Sequence, residues 1–196
     1  MDTTQLIVLG IDPGIHNCGW SIHQVTITLK PEISFKDTVL TYGVFDATAI
    51  AKQADKANSK LYGSVFSLFL FEKEIDKIIR TYRPNYVASE GSFFNPRMPN
   101  AYISLSLCIN AIQRVLFKYN QKLYVIPPKL AKQTLGNACA DKDKVKEAIH
   151  KIKNLKVLHD DEHKLEDMVE HESDSVGIGY TFISVILPTL LTSTKK

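Results

Sequence analysis

An apolar run that ends in a carboxylate lies near the start of the chain. Residues 5–12 read QLIVLGID, and Pro13-Gly14 follows directly. A nearly continuous apolar run of this length is typical of a buried strand, and the proline and glycine predict a turn at its end. We therefore expect a central sheet whose first strand ends at Asp12.

The pattern after this strand predicts an α/β fold. Two β-rich segments follow, so three strands come in succession and favour an antiparallel meander. Helices then alternate with strands, which implies a mixed five-stranded sheet with helices on both faces. Residues 46–60 are predicted to be a loop. The remaining predicted elements are strands at 19–28, 38–45, 85–91 and 122–126, helices at 61–82, 99–118 and about 141–154, and a last helix that starts near residue 165 or 169.

Length and composition predict a single cytoplasmic domain. The 196 residues, 44% of them hydrophobic, suffice for one domain over 1–196, with a core at about 5–185 and a short C-terminal tail. No apolar run reaches the roughly 18 residues of a membrane span, and the N-terminus lacks the basic region of a signal peptide. The three cysteines are odd in number and widely spaced, which favours a reducing compartment.

Two predicted strands end in acidic residues, and the last helix carries a histidine and an aspartate three residues apart. Asp12 ends the first strand and Glu90 the fourth, whereas His171 and Asp174 share one helix face. Carboxylates gathered at neighbouring strand ends repel unless a cation neutralises them, and Mg²⁺ or Mn²⁺ prefers such oxygen ligands. Two such ions would serve phosphodiester hydrolysis. Simpler roles stay open: Asp12 can cap a turn, and the helical pair can be a solvated helix N-terminus.

Four short motifs occur in an order that resembles one nuclease family. They are GIDPG at 10–14 with Gly19-Trp20, SEGSF at 89–93, KQT at 132–134 with ADK at 140–142 and Val145, and HESDS at 171–175. Together they resemble the motifs of RuvC-like Holliday junction resolvases, which are crossover junction endodeoxyribonucleases, over about residues 6–182. The resemblance implies a ribonuclease H-like fold, and the compact chain resembles phage or viral members.

The resemblance also implies a metal site. Asp12, Glu90, His171 and Asp174 would hold two Mg²⁺ ions per active site, and Mn²⁺ would be able to substitute. All four would be catalytic, with His171 acting as a ligand or as a base for water. Glu172 is an extra acid inside the last motif that would supply a ligand or compete for one.

The charge distribution fits an anionic substrate. Residues 118–156 hold ten Lys against three Asp or Glu, whereas residues 159–174 hold eight Asp or Glu against one Lys. Two solvated helix faces would give the same pattern. The resemblance assigns the lysines of the third motif to phosphate, with Lys142 counted as catalytic, and the aromatic after Glu90 to stacking on bases. The predicted DNA contacts are Phe93, with Phe94 as a second candidate, Arg97, Lys129, Lys132, Lys142 and Lys144.

The resemblance further implies a homodimer that acts on a four-way DNA junction by paired symmetric nicks. The helix at 99–118 is the predicted dimer face because it is apolar over much of its circumference, although packing within the monomer is the alternative. Nothing in the sequence identifies a motor that migrates junctions. The apolar positions on this helix are Ile103, Leu105, Leu107, Ile109, Ile112 and Leu116.

Three other functions stay open at this point. One is a nuclease of broader scope that cuts forks, flaps or RNA–DNA hybrids, and another is a non-catalytic module that binds junctions. A nucleotide phosphotransferase of the actin and sugar-kinase type also begins with a strand-end Asp-x-Gly hairpin. Such a chain needs a second Gly-rich phosphate loop, and the residues after 100 do not supply one.

Overall fold

A six-stranded mixed sheet forms the centre of the molecule. The structure, a computed structural model, describes residues 3–29, 33–94, 96–136, 142–152, 155–158 and 168–193, without the side chains of 142–144 and 150. The strands run in the spatial order β5-β4-β1-β2-β3-β6. They are β1 (Thr3–Asp12), β2 (Cys18–Thr28), β3 (Ser34–Phe45), β4 (Tyr86–Glu90), β5 (Leu123–Ile126) and β6 (Leu155–Val157).

The strand pairing confirms the predicted meander. β1, β2 and β3 pair in antiparallel fashion, whereas β4 pairs in parallel with β1, and β5 with β4. The sixth strand, β6, pairs in parallel with β3 and was not predicted. At three residues, it is too short to show an alternating pattern.

Helices cover both faces of the sheet, as predicted. They are α1 (Ala47–Ala54), α2 (Lys56–Tyr62), α3 (Ser64–Tyr82), α4 (Pro99–Phe117), α5 (Pro128–Thr134), α6 (Lys142–Lys151), α7 (Glu170–Thr181) and α8 (Leu187–Ser193), with a π-helical segment, Phe182–Ile186, between the last two. On one face, α3 and α4 pack against the sheet around Phe71, Ile75 and Ile112. On the other face, α7 and the segment after it pack around Ile178 and Phe182.

The prediction of a loop over 46–60 is wrong. The side chain of Asp46 accepts hydrogen bonds from the backbone amides of Thr48 and Ala49 and so caps α1. Asp55 caps α2 in the same way. A side-chain oxygen at this position satisfies amides that have no partner inside the helix. Small polar residues therefore signalled two helix starts here.

The helix predicted as the dimer face is partly a core helix. Ile109, Ile112 and Leu116 on α4 are buried against the sheet, and they cannot contact another chain. Ile103 and Leu107 remain 56% and 44% exposed. The apolar character of α4 therefore has two causes, and its exposed apolar surface lies in its N-terminal half and at Phe117, its last residue.

The C-terminal helical run is longer and more apolar than the sequence analysis recognised. From Glu170 to Ser193 it spans 24 residues and, by length and composition alone, could cross a membrane. The prediction that no apolar run reaches the roughly 18 residues of a membrane span was wrong. Half of its most apolar window is buried inside the structure, where Phe182 and Ile183 pack on the sheet. A core helix meets the same criteria, and we describe it as one.

Candidate active site

The carboxyl ends of β1 and β4 bring two acidic side chains to one edge of the sheet. Ile11 pairs with Ser89, so the next residues along the two parallel strands, Asp12 and Glu90, lie side by side. Asp12 is 9% exposed, and Glu90 is half-buried. The register of two buried strands, set by their apolar residues, therefore places these carboxylates together.

The start of α7 lies against the same edge of the sheet and contacts Asp12. His171 Nδ1 lies 2.7 Å from Asp12 Oδ2, a hydrogen bond between residues 159 positions apart. The helix approaches β2 so closely that a Cβ at Gly19 would overlap the His171 carbonyl oxygen. Glycine at this position lets the helix reach Asp12. Because Asp174 follows one turn later, α7 adds a further carboxylate to the same edge.

Electrostatics show that the acidic residues form one cluster. Burial, and then the charges of Asp12 and Asp174, raise the pKa of Glu90 to about 7. Burial, and then the charges of Asp12 and Glu170, raise the pKa of Asp174 to about 6. Like charges in a partly buried site disfavour ionisation of each other. The site therefore concentrates negative charge that a cation would relieve.

The pKa values of both members of the Asp12–His171 pair are raised. The hydrogen bond to Asp12 raises the pKa of the His171 imidazole, although burial opposes the change. Burial raises the pKa of Asp12, and the hydrogen bond from His171 offsets part of that effect. In this arrangement the Nδ1–H group of His171 donates to the Asp12 carboxylate.

One predicted lysine lies within electrostatic range of the cluster. Lys132, in the last turn of α5, lowers the pKa of both Glu90 and Asp174, against the larger effects of burial and of the neighbouring acids. Its side chain is exposed, as is that of Lys129 in the first turn. Lys142 and Lys144 belong to α6, but their side chains lie outside the described residues.

The two predicted stacking residues differ in their surroundings. Phe93 and Phe94 are 58% and 64% exposed in the segment after β4, close in sequence to Glu90. The Phe94 ring packs edge-on against Tyr102 of α4, with centroids 5.6 Å apart. Phe94 therefore helps to anchor this segment through Tyr102, although it is the more exposed of the two rings. Arg97 is exposed nearby in sequence.

Comparison with known proteins places the chain in a family. A family model described as crossover junction endodeoxyribonuclease RuvC matches residues 8–169. The chain belongs to the RuvC family. Among its relatives, RuvC of Rickettsia felis is 28% identical over 184 residues, which cover 90% of this chain and 96% of that protein. RuvC of Orientia tsutsugamushi is 27% identical over 177 residues, which cover 90% of this chain and 94% of that protein.

Solved structures support the same fold. Thermus thermophilus RuvC aligns with a TM-score of 0.61 at 22% identity, covering 91% of this chain and 93% of that chain. The same protein in complex with a Holliday junction substrate also aligns at 0.61. The yeast mitochondrial Holliday junction resolvase Ydc2 aligns with a TM-score of 0.59 at 15% identity, covering 90% of this chain and 77% of that chain. The predicted family, enzyme class and ribonuclease H-like fold are confirmed.

The RuvC family match does not reach the last motif. The matched residues end at 169, just before His171 and Asp174. Their assignment to the site therefore depends on the hydrogen bond between His171 and Asp12 and on the position of Asp174 one helical turn after His171. Glu172 does not join the cluster in this structure, because its carboxylate accepts a hydrogen bond from the Val169 amide and caps the helix.

The donor set suits a hard divalent cation, but its side chains are not yet gathered around one. Among the residues that the structure describes, no three His, Cys, Asp or Glu side chains form a group that could hold a metal ion as they stand. One Asp12 oxygen is engaged by His171. The chemistry nevertheless fits, since partly buried carboxylates whose pKa values are raised by mutual repulsion are stabilised by Mg²⁺ or Mn²⁺.

The sequence analysis missed two contributors to this site. Gly19 permits the close approach of α7, and its position seven residues after Asp12 gives no hint of that contact. Glu170 raises the pKa of Asp12 and Asp174 through its charge. Its position next to His171 at the start of α7 was a usable signal, because acidic residues in a first helical turn lie close to whatever the helix N-terminus approaches.

Proposed function

We propose that this protein resolves four-way DNA junctions by metal-dependent hydrolysis at the Asp12–Glu90–His171–Asp174 site, through paired symmetric nicks. Membership of the RuvC family establishes the endonuclease class. The observation that carries the assignment of the site is the contact of His171 Nδ1 with Asp12 Oδ2 at 2.7 Å, at the sheet edge where Glu90 ends the neighbouring strand. The contact brings the start of α7 to the edge where β1 and β4 end, and the raised pKa of Glu90 supports a shared site, because perturbed pKa values cluster at functional sites.

The acidic side chains would hold the metal. Asp12, Glu90 and Asp174 are the proposed ligands of two Mg²⁺ ions, with His171 as a further ligand, and Mn²⁺ would substitute. When bound, such ions activate water and stabilise the leaving oxygen in phosphodiester hydrolysis. In the described arrangement, His171 holds the Asp12 carboxylate in place. The imidazole is about one-third exposed, so its other nitrogen can accept a proton from water.

Basic side chains would position the DNA. Lys132 lies within electrostatic range of the carboxylates and would offset charge on the scissile phosphate, together with Lys142. The further phosphate contacts proposed are Arg97, Lys129 and Lys144. Contacts of this kind fix the register of a protein on DNA without reading its sequence.

An aromatic ring beside the site would recognise the opened junction. Phe93 is 58% exposed, and it follows Glu90 by three residues. A flat ring stacks on an unpaired base of any identity. We assign this role to Phe93 first, because Phe94 is already packed against Tyr102.

An exposed apolar patch on α3 and α4 supports a homodimer. Arg114 Nε donates to Glu72 Oε1 at 2.9 Å, which aligns the two helices. Val65 and Leu107 each lie seven residues, or about two turns, before these partners, so they stand at the same level. The apolar patch consists of Val65, Phe69, Ile103 and Leu107, which are 71%, 50%, 56% and 44% exposed. A dimer through this patch would present two active sites to opposed strands.

The whole chain, residues 1–196, would form one nuclease domain. The protein would act in the cytoplasm, bound to the nucleoid or to DNA in a host cell. The apolar Glu170–Ser193 helix then has a structural role, because it carries His171 and Asp174 and packs on the sheet.

The proposal is tested by cleavage of a synthetic four-way junction that has a mobile core, with Mg²⁺ present. Matched duplex, fork and RNA–DNA hybrid serve as comparison substrates. We expect paired symmetric nicks on the junction alone. Equal cutting of fork or hybrid would replace this function with a broader branched-DNA or hybrid nuclease, and binding without cutting would indicate a non-catalytic module.

Two variants test the site itself. Asp12→Asn and Glu90→Gln should abolish cleavage and leave junction binding intact, because each removes a proposed ligand while keeping the shape of the side chain. Glu172→Gln is the matched control, since this acid lies on α7 but caps the helix. Full cleavage by either ligand variant would remove that residue from the site.

A further inference from the structure

A fully buried polar chain crosses the sheet beneath α7. Ser21 Oγ lies 3.0 Å from His23 Nε2, and His23 Nδ1 lies 3.0 and 2.9 Å from the two carboxylate oxygens of Asp37. Ser21 and His23 have no exposed surface, and Asp37 is 2% exposed. An ionised carboxylate only accepts hydrogen bonds, so the Nδ1–H group of His23 donates to Asp37. We call these three residues the buried relay.

The buried relay has the order of groups found in serine hydrolases, but it cannot act as one. Ser21 has no surface through which a substrate could reach its hydroxyl. The helix backbone also covers the imidazole, because a Cβ at Gly179 would overlap the His23 ring. Polar groups this deeply buried are costly unless they are fully hydrogen-bonded, and a satisfied network rigidifies its surroundings. A role in holding the structure therefore fits better than a role in chemistry.

The buried relay meets the helix that carries half of the active site. Gly179 of α7 lies against the His23 ring, and the His171 carbonyl lies against Gly19 two turns earlier. His171 and Gly179 are eight residues apart, so they lie on the same side of α7. Burial, and next the charge of Asp37, raise the pKa of Tyr180, which places Asp37 beneath the same helix. The His23 ring therefore sets how closely α7 approaches the sheet.

We propose that the Ser21–His23–Asp37 relay positions α7, and through it His171 and Asp174, against Asp12. The three residues lie outside the four short motifs of the sequence, although the family match at residues 8–169 spans them. Asp37 and Ser21 hold the imidazole at both nitrogens, and the ring supports the helix at Gly179. This proposal rests on the proposed function, because the residues that the buried relay would position, His171 and Asp174, are proposed metal ligands.

Asp37→Asn tests the buried relay with little change in volume. The amide replaces a carboxylate acceptor with a group that also donates, so the imidazole loses its fixed orientation. We expect the affinity for Mn²⁺, measured by titration calorimetry, to fall about tenfold or more, as is typical when groups that orient metal ligands are removed. Hydrogen exchange of α7 amides should accelerate, while exchange in α3 stays unchanged. Ser21→Ala is the second variant, in case Asp37→Asn does not fold.

Ile22→Ala is the control. Ile22 lies between Ser21 and His23 but projects to the opposite face, into the core beneath α3 and α4. This variant should lose stability without losing Mn²⁺ affinity. The proposal is overturned if both relay variants bind Mn²⁺ within twofold of Ile22→Ala.

A second readout separates this proposal from the metal site. If the wild-type protein binds no Mn²⁺, the proposed metal site fails, and hydrogen exchange alone decides the role of the buried relay. Faster exchange confined to α7 then supports the positioning role. Exchange that matches Ile22→Ala in every element overturns it.

Discussion

Glu90 is the residue at which burial and neighbouring negative charge oppose ionisation most strongly among the acids of this edge. Its pKa is raised from the ordinary value of 4.5 to about 7, first by burial and then by the charges of Asp12 and Asp174. The fold therefore favours the protonated carboxyl, whereas a cation requires the ionised one. Protonation relieves this repulsion at low pH, and a bound cation would relieve it when the carboxylates are ionised.

The raised pKa of Glu90 predicts how stability depends on pH in the absence of divalent cations. A carboxyl whose pKa is raised on folding stabilises the protein fully below about pH 4.5, and this contribution disappears as the pH rises through about 7. In urea unfolding with EDTA, Glu90 should contribute a loss of stability on the order of 2–3 kcal/mol between pH 5 and pH 8. Glu90→Gln should remove this share of the slope and leave the share of Asp174, whose pKa is raised to about 6.

Glu74→Gln is the control for this measurement, because Glu74 lies on α3, outside the acidic cluster. It should leave the slope of stability against pH unchanged. Equal slopes in the wild-type protein and in Glu90→Gln would show that Glu90 is not the group that titrates.

At the residue scale, the sequence revealed the acids but not the groups that hold them. Asp12 and Glu90 could be predicted because a carboxylate at the end of an apolar strand is conspicuous. The buried relay could not, since Ser21, His23 and Asp37 come from two strands and only the strand pairing brings them together. A single polar residue in a strand gives no indication of the partner that satisfies it.

At the scale of elements, periodicity was informative for long segments and misleading for short ones. α3 and α4 each span 19 residues with a buried face, and both were predicted within a few residues. α1 and α5 have eight and seven residues, too few for a clear apolar period. Their starts are set by local chemistry instead, the side chain of Asp46 in α1 and Pro128 in the first turn of α5.

The contact between α7 and β2 gives a prediction for these elements. A Cβ at Gly19 would overlap the His171 carbonyl oxygen, so Gly19→Ala must displace the start of α7. Such overpacking costs about 1–3 kcal/mol of stability. Cleavage should fall about 100-fold, because a displacement of about 1 Å in a reaction centre has an effect of this size. Rates on a four-way junction, with unfolding curves, would measure both.

Gly177→Ala is the matched control for this prediction. Gly177 lies on the same helix, but an added Cβ would meet only the end of the flexible Leu135 side chain. The variant should retain cleavage close to the wild-type rate. Wild-type cleavage by Gly19→Ala would mean that the position of α7 is less critical than its contact with Asp12 implies.

At the scale of the whole molecule, the two faces of the sheet carry different features. The α7 face carries His171 and Asp174 and the buried relay that supports them. The α3 and α4 face carries the apolar patch, far along the chain from the last motif. This division allows one face to bind a second copy of the chain while the edge of the sheet remains open to DNA.

The apolar patch predicts that assembly and paired cleavage fail together. Val65→Asp with Leu107→Asp places charges on two helices at one level, and each protomer of a two-fold dimer would carry both. The dimer dissociation constant, measured by sedimentation equilibrium, should rise about 100-fold or more. Val185→Asp is the control, because Val185 is 40% exposed on the C-terminal helical run. A monomer holds one active site, so the double variant should nick single strands without pairing the cuts. If the double variant still sediments as a dimer, the dimer interface lies elsewhere on the protein. If the wild-type protein is a monomer and still makes paired cuts, the proposed dimer is wrong.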